Sequence, residues 1–277
     1  MDILIPLYSI IIQKALIGCV LAGLLCGLLS VFIVRITLSS IGYCMSHSAF
    51  AGAALAVAIG ADPLFLALIF SSIMALITGP VTDRAKLPLD IVLGIAFSLN
   101  MALAFMFLSF TKGPFVREVL SILWGSLLTL TELDLQILLA LCAIFFSLVY
   151  LFWKEYFTIL FNRKMAEADG IRTRPLVYAI IFISGVVVAA SLKLVGGLLV
   201  FTLLFNPAAT VMQFLCDMRK IAVMAPIMGV FMCSSGLLLS LILDWPIGAC
   251  IVITSTIIFA FSVILSPRRR RRGSFKR

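Results

Sequence analysis

Apolar runs recur along the whole chain with short polar punctuation between them. Their approximate bounds are 10–34, 43–60, 64–81, 89–111, 134–153, 175–192, 197–216, 221–242 and 246–266. A run of roughly 17–25 apolar residues is long enough to cross about 30 Å of hydrocarbon as a helix. Backbone in lipid must pair its own hydrogen bonds, so the choice lies between a helix bundle and a closed barrel. The runs are continuous in Leu, Ile and Ala and lack the alternation of a barrel strand. The pattern therefore predicts an all-α fold, a polytopic membrane helix bundle of about nine transmembrane helices, with eight and ten as the bounds. A shorter stretch at 114–131, with Trp124 and Gly125, reads as a half-helix lying at the outer face.

Composition sharpens this picture. The chain of 277 residues is 63% hydrophobic and 12% charged, whereas soluble domains are about half apolar and about a quarter charged. The net charge of +9 is concentrated in a tail at 267–277, where Arg268 to Arg272, Lys276 and Arg277 follow the last apolar run. Such a tail reads as an anchor on anionic lipid headgroups. No basic patch is interleaved with aromatics, which excludes nucleic acid as a partner. Seven cysteines fall inside apolar runs without a C-x-x-C pair, so neither a zinc knuckle nor a disulfide frame is expected. The first residues lack a basic n-region and a small-residue cleavage site, so no cleaved signal peptide is expected.

Lys and Arg set the orientation. With the tail inside, the inner segments hold Arg35, Arg84, Lys86, Lys154, Arg163, Lys164, Arg172, Arg174, Arg219 and Lys220. The outer segments hold only Lys14, Lys112, Arg117 and Lys193. The N-terminus then lies outside and the C-terminus in the cytoplasm of a prokaryotic cell. Six acids, Asp2, Asp62, Glu118, Glu132, Asp134 and Asp244, fall outside, which makes the outer mouth weakly negative. Trp153 and Trp245 stand at span ends, as interfacial aromatics do. Gly23 and Gly27 form a G-x-x-x-G, and 49–58 reads AFAGAALAVA. Such small-residue faces let helices pack backbone to backbone.

Polar groups at membrane depth are costly and call for a reason. His47, the single histidine, lies in GYCMSHSAF near the start of the second span. Its imidazole can ligate a transition metal and line a pathway, or donate to a neighbouring backbone carbonyl. Asn100 and Asn206 are further intrusions. Pro207 removes a donor in the seventh run and predicts a break or kink there, which can expose half-helix ends that handle ions or serve packing alone. Lys193 beside Gly196 and Gly197 reads as a tight outer turn with a snorkelling ammonium.

The longest inner loop, 154–174, reads KEYFTILFNRKMAEADGIRTR. It predicts a short amphipathic helix from about Phe157 to Asp169, ended by Gly170 at a left-handed position. Its apolar Ile159, Leu160 and Met165 favour docking to another protein over a solvated connector. There is no G-x-x-x-x-G-K-[ST], so ATP is not bound here in the P-loop manner. The lone histidine and the absence of H-E-x-x-H or a Ser/His/Asp set argue against a protease or hydrolase.

Five segments follow one another in a fixed order: LSSIGYCMSHSAFAGAALAVAIGADPL, LPLDIVLGIAFS, FNRKMAEADGI, SLKLVGGLLVFTLLFNPAATV and LILDWPIGACIVI. Together they resemble the permease subunits of zinc/manganese/iron-type metal-uptake ABC transporters over nearly all of residues 10–266. The resemblance implies the vitamin B12/metal importer type of permease fold, with residues 1–266 as the transmembrane domain. It implies two permease copies, ATP-binding cassette subunits that hydrolyse ATP at the cytoplasmic face, and an extracytoplasmic metal-binding protein. The divalent metal is then the transported substrate, and this chain binds no cofactor. In the family's second-span pattern, Gly42, His47, Ser48 and Gly52 match, which marks His47 as a metal-pathway residue. Tyr43 stands where the family's acid usually is. Asp90 and Gly94 match an acid-and-glycine pair read as inner-end helix capping. Arg163, Ala166, Ala168 and Gly170 fall in the loop that couples to the ATPase, and Asn100, Asn206 and Pro207 are candidate pathway or hinge positions. Within the fold, a permease for metal chelates of the siderophore or cobalamin type is the alternative. A secondary cation transporter is another, disfavoured by the scarcity of intramembrane carboxylates.

Overall fold

A computed structural model describes residues 10–38, 40–110, 130–196 and 200–266. Its helices, in chain order, are α1 (Ile10–Ile36), α2 (Ile41–Ile59), α3 (Pro63–Ala85), α4 (Leu89–Phe110), α5 (Glu132–Leu151), α6 (Trp153–Phe161), α7 (Arg163–Ala168), α8 (Thr173–Val195), α9 (Val200–Leu203), α10 (Asn206–Phe214), α11 (Met218–Leu243) and α12 (Ile247–Leu265). The all-helical membrane fold expected from the runs is what the chain adopts. Eight of these helices are long and apolar enough to span a bilayer. Residues 114–129 of the expected half-helix and the basic tail lie outside the described residues.

The run at 197–216 does not form one helix. It breaks into α9 and α10 around Leu204 and Phe205. α8 starts at the end of the bundle that carries Arg35, where Arg174 lies 3.8 Å from Asp83 at the end of α3. α10 finishes at that same end, where the Ser266 hydroxyl after α12 donates to the Gln213 carbonyl at 3.0 Å. α9 and α10 must therefore run back through the bundle. Fifteen residues from 200 to 214 rise ~22 Å as helix, so the two pieces make a ninth, interrupted crossing.

The two ends of the bundle are chemically distinct. At the basic end, Arg35 donates to the Met218 sulfur at 3.0 Å, tying the end of α1 to the start of α11. The Asp90 carboxylate accepts the Ser40 amide at 3.1 Å, so this acid caps the start of α2 from a neighbouring helix. At the opposite end, Lys14 pairs with Glu132 at 3.1 Å. There the Asp62 side chain accepts from the Phe65 amide at the start of α3, and Thr131 and Asp134 exchange bonds as a capping box before α5. Each such cap satisfies a donor that the first helical turn leaves orphaned.

α1 and α2 are the most enclosed helices, while α4 presents most of its surface outward. The G-x-x-x-G of α1 packs on α11, and a Cβ at Gly23 would lie 2.7 Å from the Val230 backbone. A Cβ at Gly229 would run into the Gly23 carbonyl. Pro226 sits inside α11 one turn away, so the seam pairs a proline helix with a glycine face. α2 packs on both α3 and α4, with Gly52 against the Leu66 carbonyl and the Phe70 side chain. α8 joins the two groups, since the Ser71 hydroxyl of α3 donates to the Gly185 carbonyl of α8 at 2.8 Å.

Candidate functional site

His47 sits in the second turn of α2, only 6% exposed. Its Nδ1 lies 2.9 Å from the Tyr43 carbonyl one turn earlier. A carbonyl only accepts, so Nδ1 carries the proton of the neutral ring and Nε2 keeps its lone pair. The backbone bond read as one alternative for this histidine is thus made, and it orients the ring with a ligating nitrogen still available. Phe97 of α4 meets the imidazole edge-on at a centroid distance of 4.7 Å and the Tyr43 ring at 6.2 Å. Tyr43 itself is 44% exposed.

One turn beyond Phe97, Asn100 is fully buried. It is flanked on the same face by Ala104, which packs with Phe50, Ala51 and Ala54 of α2. Asn100 therefore lies on the α2 side of α4, at the level just above His47. Among the described residues neither its amide oxygen nor its nitrogen has a partner, and the Ser48 hydroxyl is likewise buried and unpaired. A buried polar atom without a partner costs about 1–3 kcal/mol. The Tyr156, Ser191, Thr210 and Thr254 hydroxyls are in the same position elsewhere in the bundle. What sets Asn100 apart is that both atoms of its amide are affected, one turn from the Phe97 that meets the His47 ring. The sequence motif carried Ser48 only as a small residue after the histidine; that its hydroxyl is buried without a partner follows only from the packing around α2. Among the described residues no cluster of three or more His, Cys, Asp and Glu side chains comes together. One chain alone presents one imidazole and neutral oxygens.

The break between α9 and α10 is built rather than frayed. Pro207 lies in the first turn of α10, where its missing N–H would be an orphan in any case. The next amide, Ala208, is met by the Ser30 hydroxyl from mid-α1 at 3.1 Å. The Asn206 amide donates to the Ser255 hydroxyl of α12 at 3.1 Å. Asn206 thus pins the interrupted crossing to its neighbour, and Asn100 and Asn206 belong to different parts of the bundle. Neither Ser30 nor Ser255 was singled out in the sequence, because a serine inside an apolar run carries no local sign of its distant partner.

The segment after α5 differs from the single amphipathic helix expected. It forms α6 and α7, interrupted at Asn162, whose side chain accepts from the Lys164 and Met165 amides at 2.9 and 3.4 Å. Asn before a charged first turn is an N-cap signature, and it outweighed helix continuity here. α7 ends as expected at Gly170, with φ +81°. The Gly170 and Ile171 amides close onto the Glu167 and Ala166 carbonyls. Ile159 and Leu160 are buried against the bundle, not displayed for docking. The displayed apolar groups are Phe161 at 73% and Met165 at 54% exposure. Arg163, Ala168 and Gly170 are exposed, while Ala166 is fully buried. Thr173 and Arg163 both donate to Glu167, and these two bonds, in that order, hold its carboxyl below the usual range. Burial pushes the Tyr156 hydroxyl up to about 12, so the ring under α6 stays neutral.

The family model described as the ABC 3 transport family matches residues 8–266. The chain belongs to that family. This ABC 3 transport chain is 32% identical to a manganese transport system membrane protein of Listeria monocytogenes, over 96% of the chain and 94% of the relative. It is 29% identical to a high-affinity zinc uptake system membrane protein of Buchnera aphidicola, over 88% and 94%. Among solved structures, PsaBC from Streptococcus pneumoniae in complex with Fab has the same fold, with TM-score 0.85, 24% identity and 97% coverage of both chains. A metal-chelate type ABC transporter in an inward-facing conformation follows at TM-score 0.76 and 16% identity, covering 91% of this chain and 85% of the other. The chain is accordingly a multi-pass membrane permease of an ABC transport system, and the family resemblance read from its segments holds.

Proposed function

We propose that this permease carries a divalent transition-metal ion, manganese in the first instance, inward through a pathway that passes His47. The observation that carries this reading is an imidazole locked through Nδ1 and packed on Phe97, one turn from the buried Asn100 amide, which has no partner among the described residues. A cation that sheds water on the way through needs such oxygens. A set of one nitrogen and several neutral oxygens suits manganese better than zinc, which favours nitrogen and thiolate. The names of the manganese relatives support the same choice. Tyr43, in place of an acid, leaves the site without a fixed negative charge, which favours passage over retention.

The rest of the assembly follows from the surfaces. A second copy of this chain completes the pathway, since one chain offers a single imidazole and α4 displays a broad apolar face. The basic end faces the cytoplasm, with the tail at 267–277 on the lipid surface. There the loop 154–174 docks on an ATP-binding cassette subunit, which hydrolyses ATP, through Phe161, Arg163, Met165, Ala168 and Gly170. Ala166 supports the turn from within. At the opposite, outer end, an extracytoplasmic metal-binding protein delivers the ion. Asn206 and Pro207 form the hinge of the interrupted crossing.

The test is uptake of radioactive manganese into vesicles holding the full complex. His47→Ala abolishes uptake while assembly and basal ATP hydrolysis persist. His47→Gln can restore the bond to the Tyr43 carbonyl but is a poor ligand, so it stays inactive. Full activity of the Gln variant, or uptake of zinc with none of manganese, would sink this reading in its respective part.

A further inference from the structure

Away from His47, α5 and α11 both pack on α1, and the glycine seam draws α11 in so closely that a groove of about 710 Å³ stays open between α5 and α11. Its walls are Leu28, Phe146, Val149, Val223, Pro226 and Ile227. Val223 and Tyr150 are among the most outward-facing side chains of the bundle, at 63% and 86% exposure. The groove therefore opens toward the hydrocarbon and not into the pathway.

At the basic end the same groove is lined by Trp153, Lys154 and Arg219. The ion pairs among the described residues are Lys14–Glu132, Arg163–Glu167 and Arg174–Asp83, so neither of these two cations is matched by a carboxylate. The nearest acids in sequence face elsewhere. Glu155 lines a separate cleft beside Arg172, and the Asp217 side chain caps the start of α11. The Arg219 guanidinium rests 5.9 Å above the Phe157 ring of α6. An apolar slot of acyl-chain character thus ends in two unpaired cations and an indole at the depth of the headgroups.

We propose that this groove is a binding site for an anionic phospholipid. The phosphodiester sits between Lys154 and Arg219, and one acyl chain lies along Leu28, Val223 and Ile227. Charge selects this occupant. A second copy of the chain would bring the same two cations onto this face and repel, and a transmembrane helix of another protein would bury them without counter-charge. A lipid phosphate supplies the charge and its tail fills the slot. Because Arg219 also covers Phe157 at the root of the loop 154–174, a bound lipid holds that loop's base against α11.

The experiment delipidates the purified full complex in detergent and measures retained lipid by native mass spectrometry. It then titrates back phosphatidylglycerol or phosphatidylcholine. Each basic side chain near anionic lipid contributes enough that losing two weakens retention roughly thirtyfold. Phosphatidylglycerol should be retained by the wild type, lost from the Lys154→Gln/Arg219→Gln double variant, and kept when residues 267–277 are deleted. Ile227→Trp, which fills the slot and leaves both charges in place, should also lose it. Phosphatidylcholine should be retained by none of them. Equal retention by wild type and double variant overturns the proposal, as does retention that vanishes only with the tail. Displacement of the lipid by inorganic phosphate alone, or a disulfide between two copies carrying Val223→Cys, overturns it as well.

Discussion

Two helix crossings, α1 on α11 and α2 on α4, use small residues at helical spacing but differ in what they bury. At the first, Gly23, Gly27 and Gly229 bring backbones into direct approach, and the Ser30 hydroxyl bonds to the Gly27 carbonyl and caps α10. At the second, His47 has a partner for one nitrogen, while Asn100 has none among the described residues. The first is a backbone-to-backbone seam, and the second holds the buried amide on which the proposed pathway rests.

The largest effect that distinguishes the two should come from Gly229→Leu. Its side chain cannot be placed without moving the Gly23 backbone, so the loss exceeds the roughly 1–3 kcal/mol usual for overpacking. Thermal unfolding and the yield of monodisperse complex measure it, and a variant that assembles normally would show the seam to be pliable. Next, Asn100→Leu should raise the stability of the bundle by about 1–3 kcal/mol through removal of the unpaired amide, while metal uptake falls. A gain in stability with uptake intact would place Asn100 in the wall and not in the passage.

A smaller effect is expected at the loop. Gly170→Val imposes about 1–2 kcal/mol of strain at φ +81°. The bundle should stay folded while more ATP is consumed per ion transported. Unchanged coupling would mean that the loop does not transmit the closure of the ATPase. The smallest effect is that of pH. The Glu167 carboxyl is held low by Thr173 and Arg163, so its support of the loop is fully present above the ordinary carboxylate range. It is lost as the pH falls into the range below that and through the lowered value. Hydrogen exchange of the 166–171 amides should quicken in that range, and Glu167→Gln should remove the pH dependence.

Much of this was legible in the chain. Continuous apolar runs had to become spanning helices, because lipid offers no other partner for the backbone. Gly23 and Gly27 announced a close approach, and Pro207 announced the break. Gly170 marked the left-handed end of the loop. What stayed hidden concerned partners far apart in sequence. The loop was read as one helix because the apolar spacing of Ile159, Leu160 and Met165 is helical on either side of Asn162. Only the bundle decided that the first two face inward. Asp90 was legible as an inner-end cap, but that it reaches the start of α2 was not.

The sequence by itself determined the class of fold, the number of apolar crossings, the uneven charge of the two ends and the family. These follow from solvation in a bilayer, which acts on each segment independently. The tertiary structure decided which polar atoms are paired. That Asn206 is tied to Ser255 while Asn100 is left with buried, unpaired atoms cannot be read from two asparagines in two apolar runs. A hydrogen bond is fulfilled or left open by a partner a few ångströms away in space, wherever that partner lies along the chain.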